Sequence, residues 1–175
     1  MKTKFSLRTL IQAAVLIALT VVLARFLSIS TSVTRIGFSF IPVAFAGMLF
    51  GPVWGGVTAG LADILGEFIF PSPGGSFNPL ITFSAIVGGV IFGLLLHREQ
   101  VRFFPHVVIA DLAEKLICTL GLTTWALAVM YGVPFLAEFV TRLPQFGVMF
   151  AIQLIVLPFL VRLRAALRRA KLVDA

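Results

Sequence analysis

The chain has 175 residues, of which 59% are apolar and 12% charged, and its net charge is +7. The charged share is about half the roughly 25% usual in a soluble domain, so an ordinary soluble surface and a disordered chain are both excluded. What remains is a polytopic membrane protein of one domain, with room for about six or seven spans at about 20 apolar residues each.

The basic balance is read as topology, since cytoplasmic loops gather Lys and Arg. No nucleic-acid partner is expected. The single cysteine, Cys118, lies in an apolar stretch, where it reads as a small buried hydrophobe. No disulfide or CxxC metal site is available to a lone thiol.

The first span is expected at about 8–28. Lys2, Lys4 and Arg8 precede it and imitate a secretory leader. The apolar run exceeds the 7–15 residues of a leader core, so a retained helix is expected. The second span, about 37–50, is short and ends at the Gly51-Pro52 break. The third covers about 53–70. Pro71-Ser72-Pro73-Gly74-Gly75-Ser76-Phe77-Asn78-Pro79 then reads as a loop. The fourth span is about 80–96, and a polar connector runs from His97 to His106. The fifth is about 107–130, followed by a loop over 131–142. The sixth is about 143–163, with Pro158 as a kink or break.

Six spans put both termini on one side. Lys2, Lys4, Arg8, Arg98, Arg102, Arg162, Arg164, Arg168, Arg169 and Lys171 fall on that side. Arg25, Arg35 and Arg142 fall on the other, and Lys115 lies within span five. Both termini are therefore expected to be cytoplasmic, in a bacterial plasma membrane. The loops at 29–36, 71–79 and 131–142 then face outward. The basic tail suits anionic membrane lipid, although topology alone accounts for it.

No catalytic constellation, nucleotide loop or cofactor motif is present. The chain is not expected to be an enzyme or to energise transport itself. His97 and His106 read as solvated loop residues. Ionisable groups inside spans stand out. Asp63 and Glu67 share one face of span three, and Asp111, Glu114 and Lys115 lie in span five. At about 1.5 Å per residue, Asp63 matches Lys115 in depth and Glu67 matches Arg25. Buried ion pairs and a ligand or proton role both stand as readings of these groups.

Small residues recur at four-residue spacing in Ala14-x-x-x-Ala18, Gly56-x-x-x-Gly60 and Gly89-x-x-x-Gly93. Such stripes let helices approach closely, within the bundle or against a partner. The outer loops and nearby helix ends hold Arg35, Glu67, Phe77, Asn78, Thr82, Trp125, Tyr131, Arg142 and Gln145. Guanidinium groups suit carboxylates, aromatic faces suit planar rings, and Asn and Thr suit a heterocycle edge. An interfacial aromatic belt is the other reading.

One resemblance gathers these features. The blocks Arg35-Ile36-Gly37-Phe38-Ser39-Phe40-Ile41-Pro42, Ala46-Gly47-Met48-Leu49-Phe50-Gly51-Pro52, Ala59-Gly60-Leu61-Ala62-Asp63 and Phe77-Asn78-Pro79 resemble the folate-specific S components of energy-coupling factor (ECF) vitamin transporters. The Ala14-x-x-x-Ala18 stripe is similar to their signature. The resemblance implies an all-α six-helix bundle with a vitamin pocket near the outer face, closed by the loops after spans one, three and five. It implies docking through Ala14 and Ala18 on a transmembrane coupling protein served by two cytoplasmic ATPases. It also implies that the subunit topples to carry its pocket inward.

For folate, chemistry and loop placement assign Asn78, Thr82 and Glu67 to the pteridine edge. Phe77, Trp125 and Tyr131 would sandwich rings, and Arg35, Arg142 and Gln145 would meet the carboxylates. Riboflavin or thiamin are alternative ligands within the same family. A proton-coupled carrier using Asp63, Glu67 or Asp111 and a membrane enzyme built on Asp63, Glu67 and Lys115 are the competing classes.

Overall fold

The structure, a computed structural model, describes residues 7–30, 35–70, 77–97 and 105–169. Lys2, Lys4, Arg98, Arg102, Lys171 and the segment 71–76 lie outside these residues, as do the side chains of Arg8, Arg35, Arg168 and Arg169.

Six helical rods are formed among the described residues. They are α1 (Leu7–Phe26), α2 (Phe40–Phe50), α3 (Pro52–Ile69), α4 (Pro79–Leu96), a rod of three joined pieces, and α7 (Phe135–Arg169). The joined rod consists of α5 (Pro105–Glu114), a π-helical segment (Lys115–Thr123) and α6 (Thr124–Tyr131). By length and composition, stretches within 9–26, 79–96 and 135–167 are long and apolar enough to cross a membrane. At 11 residues α2 is too short to cross alone, reaching about 17 Å. Large apolar side chains such as Leu10, Ile11, Val15 and Val22 stand exposed along α1. Such a surface is that of a membrane protein.

The expected loop at 29–36 contains structure. β1 (Ser28–Ser30) pairs antiparallel with β2 (Arg35–Gly37), placing Ser28 opposite Gly37 and Ser30 opposite Arg35. The branched Ile29–Ile36 pair at its centre favours strand over helix. The expected loop at 131–142 is also shorter. After Tyr131 the chain turns at Gly132, whose φ of 65° suits glycine, and resumes as helix at Phe135. Pro134 opens this turn, with its carbonyl accepting from the Ala137 N–H at 3.0 Å. Neither Pro144 nor Pro158 ends α7. In apolar surroundings a proline frees one backbone acceptor, whereas abandoning the helix would free several groups.

Glycine explains how α2, α3 and α4 pack. A Cβ on Gly89 would overlap the Gly55 carbonyl oxygen, and one on Gly55 would overlap that of Gly89. A Cβ on Gly93 would strike Pro52 Cα, and one on Gly47 would lie 2.9 Å from the Gly93 nitrogen. Backbone thus meets backbone, and the Gly89/Gly93 stripe is an internal seam. Gly56 and Gly60 receive Val90 and Ile86 of α4 in the same way.

These contacts also fix direction, because α2 and α4 run parallel while α3 runs against both. At the end where α2 and α4 finish lies an apolar core of Ala44, Met48, Phe92, Leu96, Val107, Ala110, Leu157, Leu160 and Val161. The same end is bolted by polar side chains. Arg164 is buried and donates to the carbonyls of Leu96 at 2.6 Å and His97 at 2.7 Å. These are orphan acceptors of the α4 C-terminus. His97 is half-buried, and its Nδ1–H donates to the Met48 carbonyl at 2.9 Å. The expectation of a solvated His97 is corrected, because a turn that packs α4 against α2 leaves that ring facing an orphan carbonyl. Arg164 likewise belongs to the bundle and not to a free basic tail.

Arg164→Lys is expected to be nearly as damaging as Arg164→Ala, since an ammonium cannot span two carbonyls as the guanidinium fork does. Each should lower stability by about 1–3 kcal/mol. Thermal unfolding in one detergent, comparing both variants with the parent, checks this; a Lys variant as stable as the parent would refute it.

Candidate functional site

The opposite end is where α1, α3 and α6 finish and α2, α4 and α7 begin. Polar and aromatic side chains replace the dry core there. Arg25, in the last turn of α1, meets Glu67 of α3 with Nη2–Oε2 at 2.6 Å. This is the pair that matching depth suggested. A carboxylate so placed also leaves Gly66 beneath the guanidinium, with Arg25 Nε 3.4 Å from where its Cβ would be. Phe26 meets Phe70 edge-on with centroids 5.6 Å apart, and Phe68 lies 5.8 Å from Phe77.

One turn deeper on the same face of α3 lies Asp63. It is half-buried, and its Oδ2 accepts from the Thr82 hydroxyl at 2.6 Å. Thr82 itself is buried in the first turn of α4. Asn78 caps that helix. Its Oδ1 accepts from the Leu80 N–H at 2.9 Å, and its amide nitrogen reaches Met130 Sδ of α6 at 3.6 Å. An asparagine N-cap followed by a proline at N1 is a strong helix start, and it explains why α4 begins here.

The remaining expected residues are placed as follows. Arg35 lies on β2, with its side chain outside the description. Arg142 and Glu138 form an ion pair one turn apart on α7, with Nε–Oε1 at 2.9 Å. Gln145 is half-buried on the next turn. Trp125 and Tyr131 are 51% and 60% exposed. Phe77, Asn78, Thr82 and Glu67 thus share one end through α3 and α4. Ala14 and Ala18 are exposed on α1, whereas Ala13 is buried.

A second polar cluster lies inside the bundle. Lys115 meets Glu114 at 2.7 Å and not Asp63, which corrects the depth-based pairing. Depth alone ignored rotation about the helix axis, and Asp63 faces α4. Gln153 of α7 completes the cluster. In the orientation that its neighbours require, its amide nitrogen donates to Asp111 Oδ1 at 2.6 Å and its oxygen accepts from Lys115 Nζ at 2.8 Å. Ser84 reaches into the π segment, donating to the Cys118 carbonyl at 3.1 Å. Sequence reasoning missed Gln153; the available signal was an uncharged polar residue amid the apolar run of α7.

Comparison with known proteins places this fold. The family described as "ECF transporter, substrate-specific component" matches residues 8–161. A Folate transporter FolT of Clostridium novyi (strain NT) is 40% identical over 148 residues, covering 85% of this chain and 84% of its own. Another from Leuconostoc mesenteroides is 30% identical over 155 residues, covering 86% and 82%. A crystal structure of FolT bound with folic acid is similar with a TM-score of 0.81 and 33% identity, covering 90% of this chain and 94% of that one. With its seam of glycines, its polar end and its match over nearly the whole length, the chain belongs to the family of ECF transporter substrate-specific components, which bind substrate for a transporter and are not enzymes.

Proposed function

We propose that this chain is a folate-binding S component, which captures folate at the outer face of a bacterial plasma membrane and delivers it inward. The observation that carries the assignment is the likeness, over nearly both full lengths, to a solved FolT with folic acid bound. Folate fits the polar end chemically. Its pteridine is flat, its aminobenzoyl ring is apolar, and its glutamate tail bears two carboxylates. Phe77, Trp125 and Tyr131 hold rings in this reading, and Asn78, Thr82 and Glu67 shape the pteridine wall. Arg35 and Arg142, with Gln145, meet the tail. Both termini are cytoplasmic, since the Lys and Arg asymmetry survives the removal of Arg164 from the count.

In the same reading the loops after the first, third and fifth spans close over the ligand. The exposed Ala14/Ala18 stripe docks on a transmembrane coupling protein driven by two cytoplasmic ATPases. The subunit topples in the membrane to present its pocket to the interior. A close small-residue contact suits such docking, since packing replaces the hydrophobic effect between helices in lipid.

Titration of the purified chain with folate tests the assignment. Trp54 starts α3 at the far end, buried and 6.4 Å from the Phe50 ring, so it should be silent. Trp125 should carry the quenching: Trp125→Phe loses most of the signal and Trp54→Phe keeps it. Absence of saturable folate binding would overturn the proposal, and saturation by riboflavin or thiamin instead would reassign the vitamin.

A further inference from the structure

We infer that Asp63 is the group that reads the pteridine head, and that Thr82 acts as its positioning residue. The inference rests on the folate assignment above and goes beyond it to a specificity-determining residue. A 2-amino-4-oxopteridine presents two adjacent donors, the ring N3–H and the exocyclic 2-amino group. Their complement is a pair of acceptors, which a carboxylate supplies and a hydroxyl or amide does not.

The candidates at this end divide accordingly. Asn78 spends its amide oxygen on the α4 cap and its nitrogen on Met130. The Thr82 hydroxyl has one hydrogen, and it goes to Asp63. Glu67 is held by Arg25 at 2.6 Å. Asp63 differs from all three. Its hydrogen bond among the described residues is the one it accepts on Oδ2, its side chain is only half-buried, and Oδ1 keeps its acceptor capacity. The Thr82 bond fixes the rotamer, so the second oxygen is held ready at no further ordering cost.

Position supports the same conclusion. Asp63 lies six residues before the end of α3, about 9 Å below it at 1.5 Å per residue. Arg35 lies beyond the helix ends, on the hairpin. A ligand with a flat head and a dianionic tail would then enter head first, with the carboxylate at the floor reading donors and the guanidinium at the rim meeting charge. The reverse orientation would set two anionic groups against Asp63.

The test compares folate with its 2-desamino analogue, which lacks one of the two donors. The parent protein should bind the analogue about 10–100-fold more weakly, the range for a hydrogen bond to a charged group. In Asp63→Ala folate itself should weaken by at least tenfold, and the penalty for the missing amino group should fall to nearly one. That coupling is the readout that a structural role cannot mimic, because a merely loosened pocket would weaken both ligands by the same factor. Equal affinity of the parent for both ligands would overturn the inference, and this arm needs no variant to fold. Equal weakening of both ligands in Asp63→Ala would also overturn it while leaving the folate assignment intact. Failure of the parent to bind folate at all would remove both.

Discussion

Gly89→Ala is expected to be among the most damaging single-carbon changes this bundle can suffer, whereas Gly147→Ala should be harmless or stabilising. The two substitutions are chemically identical and both sit inside helices. At Gly89 the new methyl would overlap the Gly55 carbonyl and crowd the Gly56 nitrogen at 3.0 Å. Those neighbours are backbone atoms and cannot rotate away. Relief requires α3 and α4 to separate, which also opens the contacts at Gly47 and Gly93. Overpacking of a rigid seam costs about 1–3 kcal/mol or more, and here the upper end applies. At Gly147 nothing lies within 4 Å of the added carbon. That substitution should instead recover helix propensity of up to about 1 kcal/mol. Thermal unfolding of both variants in one detergent provides the check. A Gly89→Ala protein that melts with the parent would mean that the seam is not as tight as the backbone contacts indicate.

The glycine seam was visible in the sequence as spacing, because small residues at i and i+4 necessarily share a helix face. What spacing could not say is which face opposes which, and so whether the stripe serves the bundle or a partner. The Arg25–Glu67 pair was legible for a related reason: both residues lie at rod ends, where depth leaves few alternatives. Lys115 sits mid-bundle, where depth admits several partners and rotation decides. The π segment beginning at Lys115 alters that rotation, and no residue between 115 and 123 announces it. Asn78 was marked as a ligand residue from its type and loop position. Its capping role was equally written in Asn78-Pro79, since an Asn before a Pro at the start of an apolar run is a helix-start signal. The hairpin at 28–37 escaped because its strands have three residues each, below the length at which alternation can be read. The long α7 escaped because two prolines carry more weight in water than in apolar surroundings.

Lys115→Met is expected to destabilise the protein by about 3–5 kcal/mol, the cost of breaking a buried ion pair by removing one partner. Lys115 is buried, as is Asp111, and Glu114 lies 2.7 Å from the ammonium. The ammonium also satisfies the Gln153 oxygen, whose amide nitrogen holds Asp111. One substitution therefore removes the cation from beside two carboxyl groups and unties α7 from the fifth rod. The loss arises from the uncompensated partner and not from the pair's own net worth, which fixes the outcome of a second experiment. Adding Glu114→Gln to Lys115→Met removes the nearer stranded charge, and most of the lost stability should return. Gln153→Leu offers a third reading of the same cluster: with Lys115–Glu114 intact, it should cost less than Lys115→Met, about 1–3 kcal/mol for the buried groups it leaves unmade. Unfolding midpoints of the three proteins decide between charge and packing. If the double variant were no more stable than Lys115→Met, the cluster would act by shape alone. The Glu114–Lys115 attraction would then contribute nothing to holding the π segment against α7.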